Sequence, residues 1–176
     1  VVAAGVAAAV KVMSLACCKH SKYNVGACLT ALDDNKEGEI RYYTGVNVES
    51  DVSMLEIRSN SSYRDDTHFA ASPSNQQTFG LTCCGERGAL FKALSEGEGH
   101  RHFRHDSNNS SVAAKRSTFI HLAVATRDGG ISCGACRQLL CEYCPASMPV
   151  LFTDDEGRHV RSTTVGAMMP DPFVLV

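Results

Sequence analysis

The sequence predicts an α/β fold in one domain. Its 176 residues are close to the ~150 expected of a single domain, and 44% of them are apolar, which is enough for an ordinary packed core. Five segments have the alternation or composition of strands, and segments of helical periodicity lie between several of them. Strands interleaved with helices are typical of the α/β class.

The first elements along the chain are a helix and a β-hairpin. The Val- and Ala-rich residues 1–10 lack the basic region and cleavage site of a signal peptide, so we expect a helix that continues through 11–18. The chain starts without Met, which indicates that it is trimmed. Alternating apolar residues predict a strand over 26–32, and the Tyr, Thr and Val of 37–48 predict its partner. Asp, Asn and Gly residues over 33–38 supply the turn.

Helices and strands alternate in the second half of the chain. Residues 84–96 have helical spacing, and Ala89 and Leu90 belong to their apolar stripe. Glu86 lies three and four residues before these two and therefore on the same inward face, where a carboxylate requires an explanation. The later elements are a strand over 118–126, a helix over 133–143, strands over 149–153 and 159–164, and a short helix over 165–169.

Two polar insertions interrupt this pattern. Residues 50–78 lose all periodicity and are dense in Ser, Asn, Asp and Gln, so we expect them to be partly disordered. Residues 98–117 are a second polar stretch, and their histidine-rich part, 100–105, is predicted as a solvated loop. The sequence therefore predicts one domain over 1–176 with insertions at about 50–78 and 98–117.

Charge and cysteine content limit the function classes. The net charge of −2 argues against nucleic-acid binding, and no apolar run of ~18 residues is present to span a membrane. Nine cysteines cannot all pair within one chain, and two adjacent pairs do not resemble a disulfide framework. Reduced thiols, as packing residues or metal ligands, predict a reducing compartment such as the cytoplasm. Six are predicted to be packing thiols: Cys17, Cys18, Cys28, Cys83, Cys141 and Cys144.

The remaining cysteines start two predicted helices. Cys133 and Cys136 form a C-x-x-C at one helix start, and Cys84 precedes Glu86 by two residues at the other. Three thiolates fill three of the four tetrahedral positions of zinc and leave the fourth open for water, as in a catalytic site. Zinc makes bound water more acidic, and the nearby Glu86 carboxylate can carry its proton. A four-cysteine structural site using Cys141-x-x-Cys144 is the alternative, but its spacing is cramped.

These motifs resemble the cytidine deaminase family of zinc nucleoside deaminases in its three-cysteine form. The resemblance implies a three-layer α/β/α fold, in which a mixed five-stranded sheet has helices on both faces. It also implies one Zn²⁺ per subunit, a homotetramer, and hydrolytic deamination of cytidine and deoxycytidine in pyrimidine salvage. The segments that carry the resemblance are 21–27, 44–49 with its Asn-x-Glu, 84–87, 133–138 and 165–173.

The resemblance also implies a role for each matching residue. Glu86 would move protons, Asn47 and Glu49 would bind the ribose hydroxyls, and Tyr23 would pack against the nucleoside. The Gly85 amide would bind the base carbonyl, and the Ser132 carbonyl would receive the substrate amino group. Arg87 would bond the ligand sulfurs, and Phe173 would contribute to the pocket of a neighbouring subunit. The alternatives are that Asn47 and Glu49 are ordinary polar residues at a strand end and that Tyr23 and Phe173 are core residues.

The chain departs from the family at several positions. Ser132 stands where the family usually has Pro, Gly85 where it usually has Ala, and Lys19-His20 where it often has Pro-Tyr. Two other functions share part of the pattern. A related enzyme could act on an antibiotic nucleoside of the blasticidin S type or on polynucleotide cytosine, although Asn47-x-Glu49 favours a free ribose. A zinc-stabilised binding module without catalysis is the alternative of another class, and the intact Glu86 argues against it.

Overall fold

The computed structural model describes residues 1–33, 38–49, 81–99 and 117–173. In these ranges no helix has the length and apolar composition needed to cross a membrane. The elements in chain order are α1 (Val2–Met13), β1 (Val25–Asp33), β2 (Ile40–Val46), α2 (Gly85–Ser95), β3 (Ser117–Thr126), α3 (Gly134–Tyr143), β4 (Pro149–Thr153), β5 (Arg161–Thr164) and α4 (Val165–Met168).

The five strands form one mixed sheet in the order β2-β1-β3-β4-β5. β1 is antiparallel to both β2 and β3, β3 and β4 are parallel, and β5 is antiparallel to β4. Between β3 and β4 the chain makes the crossover through α3 that a parallel pair requires. The predicted α/β class and the mixed five-stranded sheet are therefore confirmed.

Helices cover both faces of the sheet. Alternate residues of β1 point to opposite faces, so Leu29 joins the core under α2, α3 and α4 while Cys28 joins the core under α1. The larger core also contains Leu90 of α2 and Leu140 of α3, and the smaller one contains Val6 of α1. The architecture is thus three-layered, and both helices that start with a predicted metal ligand lie on the same face.

Glycines bring α2 unusually close to the sheet. A Cβ added to Gly45 of β2 would lie 2.2 Å from the backbone nitrogen of Ala89 and 2.3 Å from the carbonyl oxygen of Gly85. Only glycine allows a helix backbone and a strand backbone to meet at this distance. The start of α2, with Cys84 and Glu86, is therefore held directly against the end of β2.

The structure corrects two predictions near the N-terminus. The first helix ends at Met13 and does not reach residue 18. Cys17 instead makes strand-like bonds, donating from its backbone nitrogen to the Asn47 oxygen (3.0 Å) and accepting from the Glu49 nitrogen (2.9 Å), which a helix would not allow. Cys17 is also exposed and is not a packing residue, whereas Cys18, Cys28 and Cys144 are buried and Cys83 and Cys141 partly buried.

Most of the two predicted insertions lies outside the described residues, as does the turn at 34–37. The described ends of the second insertion are not solvated: Glu98 is 0% exposed and Ser117 is buried. Oε1 of Glu98 accepts from Arg41 Nη1 at 2.6 Å and from the Tyr43 hydroxyl at 2.7 Å. Arg41 also binds the Asp33 carboxylate at 2.7 Å. A buried polar cluster thus stands at the end of α2 opposite to Glu86.

Two hydrogen bonds close the first insertion at its base. The Val48 nitrogen donates to the Cys83 oxygen at 2.8 Å, and the Cys83 nitrogen donates to the Val48 oxygen at 3.0 Å. This antiparallel bridge joins the segment after β2 to the residue before Cys84. Val48 and Cys83, which lie on either side of that segment in the sequence, are therefore direct neighbours in the structure.

Candidate functional site

Three cysteine thiols converge where α2 and α3 begin. Cys84 and Cys133 are the N-caps of these helices, and Cys136 lies in the first turn of α3. The Cys133 sulfur is 3.7 Å from that of Cys84 and 3.5 Å from that of Cys136, and all three lie within 4.8 Å of one another. Zinc–sulfur bonds of about 2.3 Å in a tetrahedron put sulfurs about 3.8 Å apart. The three thiols therefore fit a single metal ion of this size.

The surroundings favour a thiolate at Cys84. A hydrogen bond from the Cys136 thiol, together with one from Arg87, lowers the pKa of Cys84 to about 5, although burial acts in the opposite direction. Nη2 of Arg87 is 3.7 Å from the Cys84 sulfur and also donates to the Thr82 carbonyl. The hydrogen bond between Cys136 and Cys84 raises the pKa of Cys136, and burial raises it further. Metal ligation requires thiolates, and these neighbours favour the thiolate form of Cys84.

Glu86 is a buried carboxyl beside the three thiols. It lies on the inward stripe of α2 and is only 4% exposed. Burial raises the pKa of Glu86, because a charged carboxylate is poorly solvated there. A carboxyl whose pKa is moved toward neutrality can both accept and donate a proton, which suits general acid–base catalysis.

One cavity of about 260 Å³ brings most of the predicted site residues together. This is close to the ~300 Å³ at the lower end of small-molecule sites. Apolar walls are contributed by Val124 and Ile131, among others. The predicted site residues that line the cavity are Tyr23, Asn47, Glu49, Cys84, Glu86 and Cys133.

Asn47 and Glu49 are held in the cavity wall by backbone groups. The side chain of Asn47 accepts from the Val25 nitrogen at 2.7 Å and donates to the Tyr23 oxygen at 2.8 Å. Oε2 of Glu49 accepts from the backbone nitrogens of His20 (3.0 Å) and Ser21 (3.2 Å). Burial would raise the pKa of Glu49, but hydrogen bonds from the Ser21 hydroxyl and from these two backbone nitrogens outweigh it and lower the pKa. Both side chains are thus pre-oriented, and each retains hydrogen-bonding capacity for a ligand.

Gly85 and Ser132 lie at the starts of the two helices. Gly85 is the first residue of α2, so its N–H has no acceptor within the helix. A Cβ there would lie 3.2 Å from the Val25 carbonyl oxygen, so the Ala usual in the family would be tight. The Ser132 carbonyl accepts from Arg137 Nε at 2.8 Å and retains one lone pair. The Ser132 side chain is buried, and its hydrogen bond to Glu86 opposes part of the rise in the pKa of that carboxyl.

Phe173 lies outside this cavity. Its ring is 68% exposed, so it is not a core residue of the monomer. The side chain of Gln138 in α3 fixes its backbone by accepting from the Phe173 nitrogen (3.2 Å) and donating to the Phe173 oxygen (2.7 Å). The segment that carries the ring is therefore docked on α3, while the ring itself faces outward.

Tyr23 makes a long-range contact that the sequence does not predict. Its hydroxyl donates to Oδ1 of Asp128 at 2.5 Å, across the loop between β3 and α3. Asp128 belongs to an Asp-Gly-Gly stretch that indicates a turn, and its composition alone contains no signal for a partner 105 residues away.

Comparisons with known proteins agree with this geometry. No model of a known protein family matches the chain. A cytidine deaminase of Sporosarcina psychrophila is 34% identical over 155 residues, which are 88% of this chain and 77% of that protein. A cytidine deaminase of Halalkalibacterium halodurans is 36% identical over 96 residues, 54% of this chain and 60% of that protein.

Solved structures give the same result for the fold. The crystal structure of cytidine deaminase from Burkholderia pseudomallei superposes with a TM-score of 0.63 at 27% identity, covering 97% of this chain and 98% of the other. The cytidine deaminase of Mycobacterium tuberculosis has a TM-score of 0.56 at 24% identity, with 96% and 94% covered. The second likeness supports the fold alone.

Proposed function

Since the chain belongs to the cytidine deaminase family and is a hydrolytic deaminase, we propose that it converts cytidine, and also deoxycytidine, to the uridine product and ammonia. One observation carries the proposal. Three thiols spaced for one metal ion stand beside the buried Glu86, in a cavity that Asn47 and Glu49 also line. The net charge of −2 and the small cavity support a free nucleoside over a polynucleotide.

Cys84, Cys133 and Cys136 would hold one Zn²⁺ per subunit, which the sulfur spacings of 3.5 and 3.7 Å support. When bound, zinc would supply a Lewis acid that makes a water molecule acidic enough to attack C4 of the base near neutral pH. Arg87, which is 3.7 Å from the Cys84 sulfur, would offset part of the negative charge of three thiolates. Its position supports a role in tuning the ligands.

Glu86 would carry the protons of the reaction. It takes one proton from the attacking water and transfers it to the ring nitrogen as the new C4–O bond forms. It then takes the second proton from that C4 hydroxyl and gives it to the amine, which leaves as ammonia when the C4–N bond breaks. Its burial and its raised pKa support both directions of transfer. Glu86 passes on each proton that it accepts, so it is regenerated unchanged at the end of the cycle.

The remaining residues would bind and orient the nucleoside. Asn47 and Glu49 would hydrogen-bond the ribose hydroxyls with the capacity that their backbone partners leave free. Tyr23 would pack against the nucleoside. The N–H of Gly85, which has no acceptor within the helix, would bind the base carbonyl, and the remaining lone pair of the Ser132 carbonyl would receive the substrate amino group.

Assembly and location complete the proposal. The protein would be a homotetramer in which Phe173 enters the pocket of a neighbouring subunit, which its exposed ring and docked backbone support. All nine cysteines are free, which supports the reducing cytoplasm and a place in pyrimidine salvage. Phe173→Ala should lower activity without changing the stability of the isolated monomer; unchanged activity with an intact tetramer would remove this role.

The decisive experiment combines a zinc count with a substrate panel. We expect about one zinc per chain and a loss of absorbance when the purified protein meets cytidine or deoxycytidine. Turnover of blasticidin S alone would redirect the proposal to antibiotic nucleosides. Bound zinc without turnover of any compound in the panel would support a binding module and overturn the enzymatic role.

Two cysteine variants test the ligand set. Cys136→Ser should lose zinc and activity, because a buried ligand thiolate is removed. Cys144→Ser is the matched control, since Cys144 is equally a buried thiol of the α3 segment but packs in the core. It should keep zinc and activity. Loss of zinc from both variants in folded protein would contradict the assignment.

A further inference from the structure

The side chain of Tyr23 joins the cavity to a loop outside it. Tyr23 lines the cavity, and its hydroxyl donates to Oδ1 of Asp128 at 2.5 Å. The guanidinium carbon of Arg127 lies 5.2 Å from the centre of the Tyr23 ring. Neither Arg127 nor Asp128 lines the cavity itself. The ring is thus fixed at its hydroxyl end and on its face by two residues that are outside the binding space.

One oxygen atom, Oδ1 of Asp128, accepts three hydrogen bonds in the loop that contacts Tyr23. Besides the Tyr23 hydroxyl, Oδ1 of Asp128 accepts from the Thr126 hydroxyl at 3.1 Å and from the Gly130 nitrogen at 3.2 Å. The Gly130 nitrogen also donates to the Thr126 hydroxyl at 2.7 Å. Because Thr126 is the last residue of β3, this turn is anchored to the sheet. Asp128 therefore offers Tyr23 a fixed acceptor.

The space around the hydroxyl is equally restricted. A Cβ added to Gly130 would lie 2.2 Å from the Tyr23 hydroxyl oxygen, so the phenol rests directly against the backbone of the loop. The bond from Tyr23 also lowers the pKa of Asp128, which keeps the acceptor charged at neutral pH. Contact and hydrogen bond together restrict the movement of the ring in the cavity wall.

We propose that Asp128 is a positioning residue for nucleoside binding, which acts by fixing the Tyr23 ring in the wall of the cavity before substrate arrives. The proposal rests on the function proposed above, in which Tyr23 packs against the nucleoside. Asp128 touches neither the reacting atoms nor the metal ligands. Its loss should therefore weaken binding and leave the chemical step almost unchanged.

The size of the effect follows from side-chain ordering. Without Asp128, Tyr23 samples other rotamers in the free protein and has to be ordered when the nucleoside binds. Immobilising one such side chain at a binding site corresponds to about a fivefold change in affinity. We therefore expect Asp128→Ala to raise KM for cytidine about fivefold with kcat within about twofold of wild type.

Three further variants isolate the hydrogen bond. Asp128→Asn keeps an acceptor oxygen and should recover most of the loss. Tyr23→Phe removes the donor, keeps the ring, and should reproduce the rise in KM. The double variant Tyr23→Phe/Asp128→Ala should be no worse than Asp128→Ala, because that single variant has already lost the bond to Tyr23. Asp155→Ala, at an exposed aspartate in the β4–β5 turn, is the control and should match wild type.

The outcomes separate this proposal from the proposed function. No turnover of cytidine by the wild-type protein would refute the function itself. If the wild type turns over cytidine but KM is unchanged in Asp128→Ala, only the positioning role is refuted. The same holds if the KM increases of the two single variants multiply in the double variant. A fall in kcat with unchanged KM would also contradict it. If Asp128→Ala does not fold, Tyr23→Phe decides, and an unaltered KM there refutes the proposal.

Discussion

Two buried glutamates stand at opposite ends of α2 and differ in their electrostatics. Glu86 lies in the first turn and is 4% exposed, while Glu98 follows the last residue of the helix by three positions and is 0% exposed. Burial raises the pKa of Glu86. At Glu98 burial acts in the same direction, but hydrogen bonds from Ser117, Tyr43 and Arg41 outweigh it and lower the pKa.

The two pKa shifts differ because the neighbouring arginine side chains bind different groups. Arg41 binds Glu98 at 2.6 Å and so compensates a charge that burial would otherwise make costly. Arg87 follows Glu86 directly in the sequence, but its guanidinium is bound to the Cys84 sulfur and the Thr82 carbonyl. The fold thus stabilises the charged form of one glutamate and leaves the other free to change its protonation. The cation bound to Glu98 indicates a structural role, whereas the raised pKa of the buried Glu86 makes it the candidate for proton transfer.

The largest effect is expected from Glu86→Gln. Removing the proton carrier should lower kcat for cytidine by roughly 10²- to 10⁴-fold, while the isosteric amide keeps the fold and the zinc. Stability should not fall, because the change removes a poorly solvated carboxyl group. Steady-state kinetics, a zinc count and thermal unfolding measure the three quantities. Near-wild-type turnover would remove Glu86 from the mechanism.

Gly45→Ala tests whether the metal end of α2 depends on backbone contact. The new Cβ would lie 2.2 Å from the Ala89 nitrogen, so we expect α2 to be displaced at a cost of about 3 kcal/mol of stability, with weaker zinc binding. Gly88→Ala is the matched control on the helix side, since its Cβ would meet Gly45 Cα at 3.4 Å. That variant should retain wild-type stability and zinc. Equal behaviour of the two in unfolding experiments would contradict the contact.

Glu98→Gln should produce the opposite phenotype to Glu86→Gln. We expect about 2 kcal/mol lower unfolding free energy, because Arg41 loses a buried charged partner, and little change in kcat. Glu156→Gln is the control, since Glu156 pairs with Arg158 on the surface. An exposed pair of that kind contributes about 0.5 kcal/mol or less. Loss of activity in folded Glu98→Gln protein would contradict the assignment of Glu98 to stability and of Glu86 to the reaction.

The smallest effect is the pH dependence of this stabilisation. The pKa of Glu98 is lowered on folding, so its contribution is complete above the unfolded value of about 4.3 and is lost as the pH falls through the folded pKa. The stability gap between wild type and Glu98→Gln should therefore narrow between about pH 5 and about pH 3. Urea unfolding at several pH values measures it, and a gap independent of pH would show that charge is not its source.

Local patterns predicted much of this fold. Period-two alternation placed β1, and helical spacing placed both the stripe of α2 and the inward position of Glu86, which is indeed buried. These patterns depend on near neighbours in the sequence, which is why they are readable without a structure. The helix predicted through residue 18 was wrong because bonds from Cys17 to the distant Asn47 and Glu49 override local propensity.

Long-range polar contacts could not be predicted. The cluster of Arg41, Tyr43 and Glu98 joins two segments separated by more than fifty residues, and Glu98 has the composition of a polar insertion. Asp128 likewise meets Tyr23 across 105 positions. Hydrogen bonds of this kind depend on which loops the sheet brings together. The periodicity of a single sequence does not predict which distant loops meet.

The bridge between Val48 and Cys83 has a consequence for how this chain tolerates changes in length. Its two hydrogen bonds fix both ends of the intervening segment next to Cys84. The entropy of closing a loop grows only with the logarithm of its length, so each doubling costs about 0.6 kcal/mol. A change in the number of residues between Glu49 and Thr82 therefore carries only a small loop-closure cost, while Glu49 keeps its bond to Ser21 and Thr82 its bond to Arg87. The bridge thus makes the position of Cys84 depend little on the length of that segment.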